Sequence, residues 1–172
     1  CGEEIFRDIY KKYETRLKEN RLIDFDDMLS YTYELFKERP DILALWQNKY
    51  KYILIDEFQD INRLQYEIIK MLAAPQNNLF IVGDDDQSIY RFRGSKPEIM
   101  LGFEKDYPDA KRILLDTNYR CGRYIVEASL NLISHNRERF DKKIIAASKS
   151  KAPVTFADFE NRRDENIFLI RD

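Results

Sequence analysis

Two short apolar runs that stop abruptly at charge restrict this chain's fold more than anything else in it. Tyr52-Ile53-Leu54-Ile55 runs directly into Asp56-Glu57, and Leu79-Phe80-Ile81-Val82 runs into Gly83-Asp84-Asp85-Asp86-Gln87. Uninterrupted β-branched runs of this length read as strands buried on both faces of a parallel sheet. Between them, Leu64, Ile68 and Leu72 recur at helical spacing, which predicts a helix over residues 62–73 and hence a strand–helix–strand unit. Residues 97–107 are predicted helical. A third run, Arg112-Ile113-Leu114-Leu115, ends at Asp116, so three strands would each deliver polar residues at their carboxyl ends. A helix over 123–135, a charged connector, a strand Val154-Thr155-Phe156-Ala157 and a helix over 164–171 complete the second half.

The first fifty residues are predicted helical throughout. Ile5, Ile9, Tyr13 and Leu17 lay one apolar stripe along a charged helix over 3–20, a stripe that must dock on something. Asp24 suits the N-cap of a second helix, with Asp26 and Asp27 in the first turn where the helix dipole favours negative charge. Pro40 suits the first turn of a third, short helix that contains Trp46, which reads as core.

Composition narrows the class. Apolar residues make up 44% of the 172 and charged residues 35%, so the chain folds behind a heavily charged surface and is neither disordered nor fibrous. No stretch approaches the length of apolar sequence a membrane span needs, which predicts a chain without a membrane partner. The net charge of -2 conceals an asymmetry: residues 1–110 carry -6, residues 111–151 carry +6 and the remainder -2. Cys1 and Cys121 belong to no CxxC or Cys/His cluster, which favours a reducing, cytoplasmic setting. The opening Cys-Gly-Glu-Glu has neither an initiator Met nor a leader, and the chain reads as part of a longer polypeptide.

Ligands of open α/β sheets bind where strands end, so chemistry is sought in the polar strings after each run. In Asp56-Glu57-Phe58-Gln59-Asp60, the first carboxylate suits Mg²⁺ and the second suits polarising an attacking water; a solvated acidic turn is the bland alternative. The string from Gly83 to Gly94 combines three carboxylates, the amide of Gln87, which can sense a terminal phosphate, and alternating Tyr90, Arg91, Phe92 and Arg93, suited to stacking on bases and meeting phosphates. In Asp116-Thr117-Asn118-Tyr119-Arg120, Arg120 could clamp a transferring phosphate and Tyr119 could stack on a nucleobase. His135 and the lysines at 142–151 have plain readings as packing or surface and as a solvated connector.

In order along the chain, these three strings closely resemble motifs II, III and IV of the UvrD/Rep/PcrA group of superfamily 1 DNA helicases. Leu22-Ile23-Asp24-Phe25-Asp26-Asp27-Met28-Leu29 looks like the segment that returns from the helical 1B insertion of those enzymes. The resemblance implies an α/β fold made of partial RecA-like parallel-sheet domains of the P-loop NTPase type, preceded by a helical segment. Residues 1–50 would be the end of 1B and the return into 1A, 51–108 the second half of 1A, and 109–172 the start of 2A. It also implies roles: Asp56 on Mg²⁺, Glu57 activating water, Gln87 and Arg120 at the γ-phosphate of ATP, Tyr119 on adenine, and Tyr90, Phe92 and Arg93 along single-stranded DNA. The whole would be an ATP-dependent 3′-to-5′ helicase or translocase acting on single strands and duplex junctions.

One absence qualifies that expectation. None of the five glycines fits the pattern G-x-x-x-x-G-K-[ST], so no phosphate-cradling loop is present, and counterparts of motifs V and VI are missing too. The chain alone is expected to be inert as an ATPase and to depend on N- and C-terminal parts of the same polypeptide. Two other readings stay open: a standalone single-strand-binding module built on Tyr90, Phe92 and the +6 stretch, and a metal-dependent nuclease built on Asp56, Glu57 and the Asp84-Asp85-Asp86 string.

Overall fold

The computed structural model describes residues 2–90, 92, 94–148, 150 and 152–171. The chain divides into two compact units, Cys1–Asp109 and Ala110–Asp172.

Three helices lead the first unit: α1 (Gly2–Glu19), α2 (Phe25–Glu38) and α3 (Pro40–Lys49). The start of α2 is fixed by a reciprocal capping box, in which Asp24 accepts from the Asp27 backbone N–H at 2.8 Å and Asp27 accepts from that of Asp24 at 3.2 Å. Tyr13 donates to the second oxygen of Asp24 at 2.9 Å and ties α1 to this cap. Of the rest of the α1 stripe, Ile5 and Ile9 are exposed, as are the neighbouring Phe6 and Tyr10, while Leu17 is half-buried. Trp46, expected in the core, is partly exposed and stacks on Tyr50 with ring centroids 5.6 Å apart.

A parallel pair follows, β1 (Ile53–Ile55) and β2 (Leu79–Ile81), in register Ile53↔Leu79, Leu54↔Phe80 and Ile55↔Ile81. The crossover between them is α4 (Arg63–Ala73), whose N-cap Asn62 forms a second capping box with Gln65. Helix α2 packs on α3 and α4, and Gln47 of α3 donates to the Met71 carbonyl at 2.8 Å. The sheet buries one face rather than two. Ile55 and Ile81 pack against the core of Phe58, Ile61 and Tyr66, whereas the paired Leu54 and Phe80 are 69% and 56% exposed.

Phe58 anchors that core, fully buried and edge-on to Tyr66 and Phe103 at 5.8 and 5.7 Å. Where the sequence predicts one helix over 97–107, there are two short ones, α5 (Pro97–Leu101) and α6 (Phe103–Asp106), parted at Gly102, the poorest helix former in the stretch after proline. Asp106 of α6 accepts from the Tyr66 hydroxyl at 2.8 Å, pinning α6 to α4. Burial, then this bond, pushes the Tyr66 phenol well above its ordinary value.

In the second unit, β3 (Thr117–Asn118) pairs parallel with β4 (Ile145–Ala146); α7 (Arg123–Ile133) lies between them in sequence and α8 (Arg162–Arg171) follows β4. The predicted strands at 112–115 and 154–157 have no ladder among the described residues; Ile113 and Leu115 are exposed instead. An apolar run supplies strand propensity but not a hydrogen-bonding neighbour. Pairing here begins one residue past the first run, where the Ile145 N–H donates to the Asp116 carbonyl at 2.8 Å, and β4 lies inside the expected connector.

Candidate active site

The exits of β1 and β2 are cross-linked. The Val82 N–H donates to the Ile55 carbonyl at 2.8 Å, and the Phe58 N–H donates to the Val82 carbonyl at 2.9 Å. Between these bonds the first strand turns sharply, with Glu57 in the left-handed region at φ 51° and ψ 40°, and residues Phe58–Asp60 form one 3₁₀ turn. Adjacent residues in an extended strand project to opposite faces; one left-handed residue ends that alternation directly after Asp56.

A continuous line of hydrogen bonds joins the two polar strings. Gln59, 1% exposed, donates through Nε2 to Oε2 of Glu57 at 2.7 Å and accepts at Oε1 from the Asp84 N–H at 3.0 Å. Asp84 in turn accepts from Nε2 of Gln87 at 2.8 Å and caps the 3₁₀ turn Asp85–Gln87 by accepting from the Asp86 N–H at 3.2 Å. Ser88 closes the loop by donating to the Gln59 carbonyl at 3.3 Å. Two predicted residues from different strands, Glu57 and Gln87, are thus linked through Gln59 and Asp84.

The packing at this junction requires glycine. A Cβ on Gly83 would stand 2.6 Å from Oε1 of Gln59 and 3.1 and 3.2 Å from the N atoms of Phe58 and Gln59. No single-residue pattern reveals the hub role of Gln59, because its partner Asp84 lies 25 residues away; the available hint is an amide placed next to an apolar anchor in a string of acids.

Asp56 and Glu57 are both exposed, and Oδ1 of Asp56 accepts from the Glu57 N–H at 2.9 Å. Carboxylate oxygens open to solvent are the donor set a hard cation such as Mg²⁺ prefers, so these residues fit that ion. Asp84, Asp85 and Asp86 could bring three ligand oxygens within 4.8 Å of one another, but Asp84 is engaged by its own loop. Beyond it, Tyr90 and Phe92 lie with centroids 5.9 Å apart at 50°, and Phe92 is 78% exposed. Arg93 lies outside the described residues.

The third predicted string sits in the second unit. Asn118 accepts at Oδ1 from the backbone N–H groups of Arg120 and Cys121, at 2.9 and 2.8 Å, which sets a tight turn before α7. Tyr119 and Arg120 are exposed on that turn.

These features define a class first: a mixed α/β protein with small parallel sheets whose acidic and amide side chains gather at strand ends. The family follows from comparison with known proteins. The model of the UvrD/REP helicase N-terminal domain matches residues 2–108, and the chain belongs to that family. It is 48% identical over 168 residues, 97% of its length, to YjcD of Bacillus subtilis strain 168, a candidate ATP-dependent DNA helicase by name. It is 41% identical over 164 residues to the ATP-dependent DNA helicase PcrA of Staphylococcus aureus strain Mu50, and 40% identical over 164 to PcrA of Staphylococcus epidermidis. The chain spans 22% of the length of each. Among the described residues, no helix is long and apolar enough to cross a membrane.

Proposed function

We propose that this chain is the central part of an ATP-dependent 3′-to-5′ DNA helicase or translocase in the cytoplasm, working on single strands and duplex junctions. Residues 1–50 form the end of a helical insertion and its return, 51–108 the second half of a first RecA-like domain, and 109–172 the start of a second. The observation that carries the reading is the hydrogen-bonded line from Glu57 through Gln59 and Asp84 to Gln87. A residue suited to activating water and a residue suited to sensing a terminal phosphate share one rigid strand edge, as hydrolysis of a nucleoside triphosphate requires.

In this reading Glu57 accepts a proton from the attacking water, and Gln87 contacts the γ-phosphate. Arg120 supplies positive charge to the transferring group, and Tyr119 packs on adenine. Asp56 would hold Mg²⁺, which when bound neutralises charge on the β- and γ-phosphates. Phe92, exposed beside Tyr90, offers a face on which a base can stack, and Arg93 adds a cation near the strand.

The test is steady-state ATP hydrolysis by the complete polypeptide that carries this segment, with and without a single-stranded oligonucleotide. Glu57→Gln should lower kcat by about 100-fold or more, the range for loss of a general base, with little change in nucleotide affinity. The isolated 172-residue chain should hydrolyse no ATP. Unchanged hydrolysis in the Glu57→Gln enzyme, or ATP-independent, metal-dependent cleavage of DNA, would remove the reading.

A further inference from the structure

Among the described residues, Gln59 is the one fully buried polar side chain, and its contacts are chemically directional. The Asp84 backbone N–H can only donate, so Oε1 must face it; the amide nitrogen is then left for Oε2 of Glu57, which accepts at 2.7 Å. Neither a carboxylate nor a hydrocarbon of the same length can serve both neighbours. The amide oxygen lies where a Cβ on residue 83 would stand 2.6 Å from it, a place only glycine leaves open, and Ser88 grips the Gln59 carbonyl from the loop. Glu57, by contrast, is exposed and lies in the left-handed region, and among the described residues its carboxylate has no hydrogen bond other than that from this amide.

We propose that Gln59 is a positioning residue for hydrolysis: it holds the Glu57 carboxylate in one orientation and locks that orientation to the loop bearing Gln87. It touches neither nucleotide nor water and acts through Glu57. Because the same amide is fixed by Asp84, a displacement of the 84–88 loop is transmitted to the carboxylate. The inference rests on the reading of Glu57 as the base that activates water.

A double-mutant cycle in the complete polypeptide tests it, using ATP, Mg²⁺ and a single-stranded oligonucleotide, with single-turnover rates for the slow enzymes. Gln59→Met should lower kcat about 10-fold or more while KM for ATP stays within about twofold. Combined with Glu57→Gln it should slow the reaction no further than Glu57→Gln alone, since its effect passes through the carboxylate already removed. Gln59→Glu, which keeps an acceptor for Asp84 but opposes Glu57 with a second carboxylate, should behave alike and serves if the Met variant unfolds. An equal loss from Gln59→Met in both backgrounds, an unchanged kcat, or unfolding of both Gln59 variants would overturn the proposal. Full activity of Glu57→Gln by itself would instead overturn the assignment of the base, so the two failures are told apart.

Discussion

At the scale of single residues, close packing rather than ligand chemistry sets the constraint at position 83. A methyl group there must push the Gln59 amide out of its bond with Asp84 or displace the backbone of Phe58 and Gln59. Gly83→Ala should therefore cost about 1–3 kcal/mol, the range for overpacking a filled site, read as a lower midpoint in urea unfolding. A stability unchanged within about 0.5 kcal/mol would mean the junction is looser than these distances. Ser95 presents the opposite case. It is buried, and among the described residues its hydroxyl has no hydrogen-bond partner. Removing an unpaired buried hydroxyl spares a desolvation cost, so Ser95→Ala should leave the unfolding midpoint equal or higher. What could be read from the sequence at this scale was that acidic and amide side chains stand just past the ends of β1 and β2; the chemistry assigned to Asp56, Glu57 and Gln87 is a proposal. The role of Gln59 could not be read, because it depends on two strands lying side by side.

At the scale of elements, local signals carried furthest where they are self-contained. Asp24 caps α2 using a partner three residues away, and a linear reading suffices for such spacing. It fails where an element needs a neighbour from elsewhere, as at 112–115 and 154–157, whose apolar residues find no ladder. The Asp24 cap also has a pH signature. Hydrogen bonds from the Asp27 backbone, then from Tyr13, hold the Asp24 carboxyl below the ordinary aspartate range. Its stabilising contribution is therefore present above the unfolded value of about 3.9 and lost as pH falls through the lower folded value. Asp24→Asn keeps an acceptor at the cap but cannot titrate. The difference in stability between the parent and this variant should be constant above about pH 5 and shrink below about pH 4. A difference that does not vary between pH 3 and 6 would rule out titration of this cap.

At the scale of the whole molecule, the sheet of the first unit is covered on one side only. Parallel sheets ordinarily carry helices on both faces, yet Leu54 and Phe80 meet solvent in register. That pairing predicts self-association of the separate 172-residue chain. Leu54→Thr combined with Phe80→Thr should shift it toward monomer in analytical ultracentrifugation at equal concentration, and an unchanged sedimentation profile would locate the adhesive surface elsewhere. The apolar runs revealed two strands and their crossover, but the expectation of burial on both faces failed because hydrophobicity records preference and not what is present to satisfy it. The left-handed turn at residue 57 carries one more consequence, for selection experiments. Backbone geometry there favours Gly or Asn, while the proposed reaction asks for a carboxylate. A saturation library sorted for cellular abundance should thus enrich those two residues among the replacements, and the same library sorted for DNA-dependent growth should return glutamate.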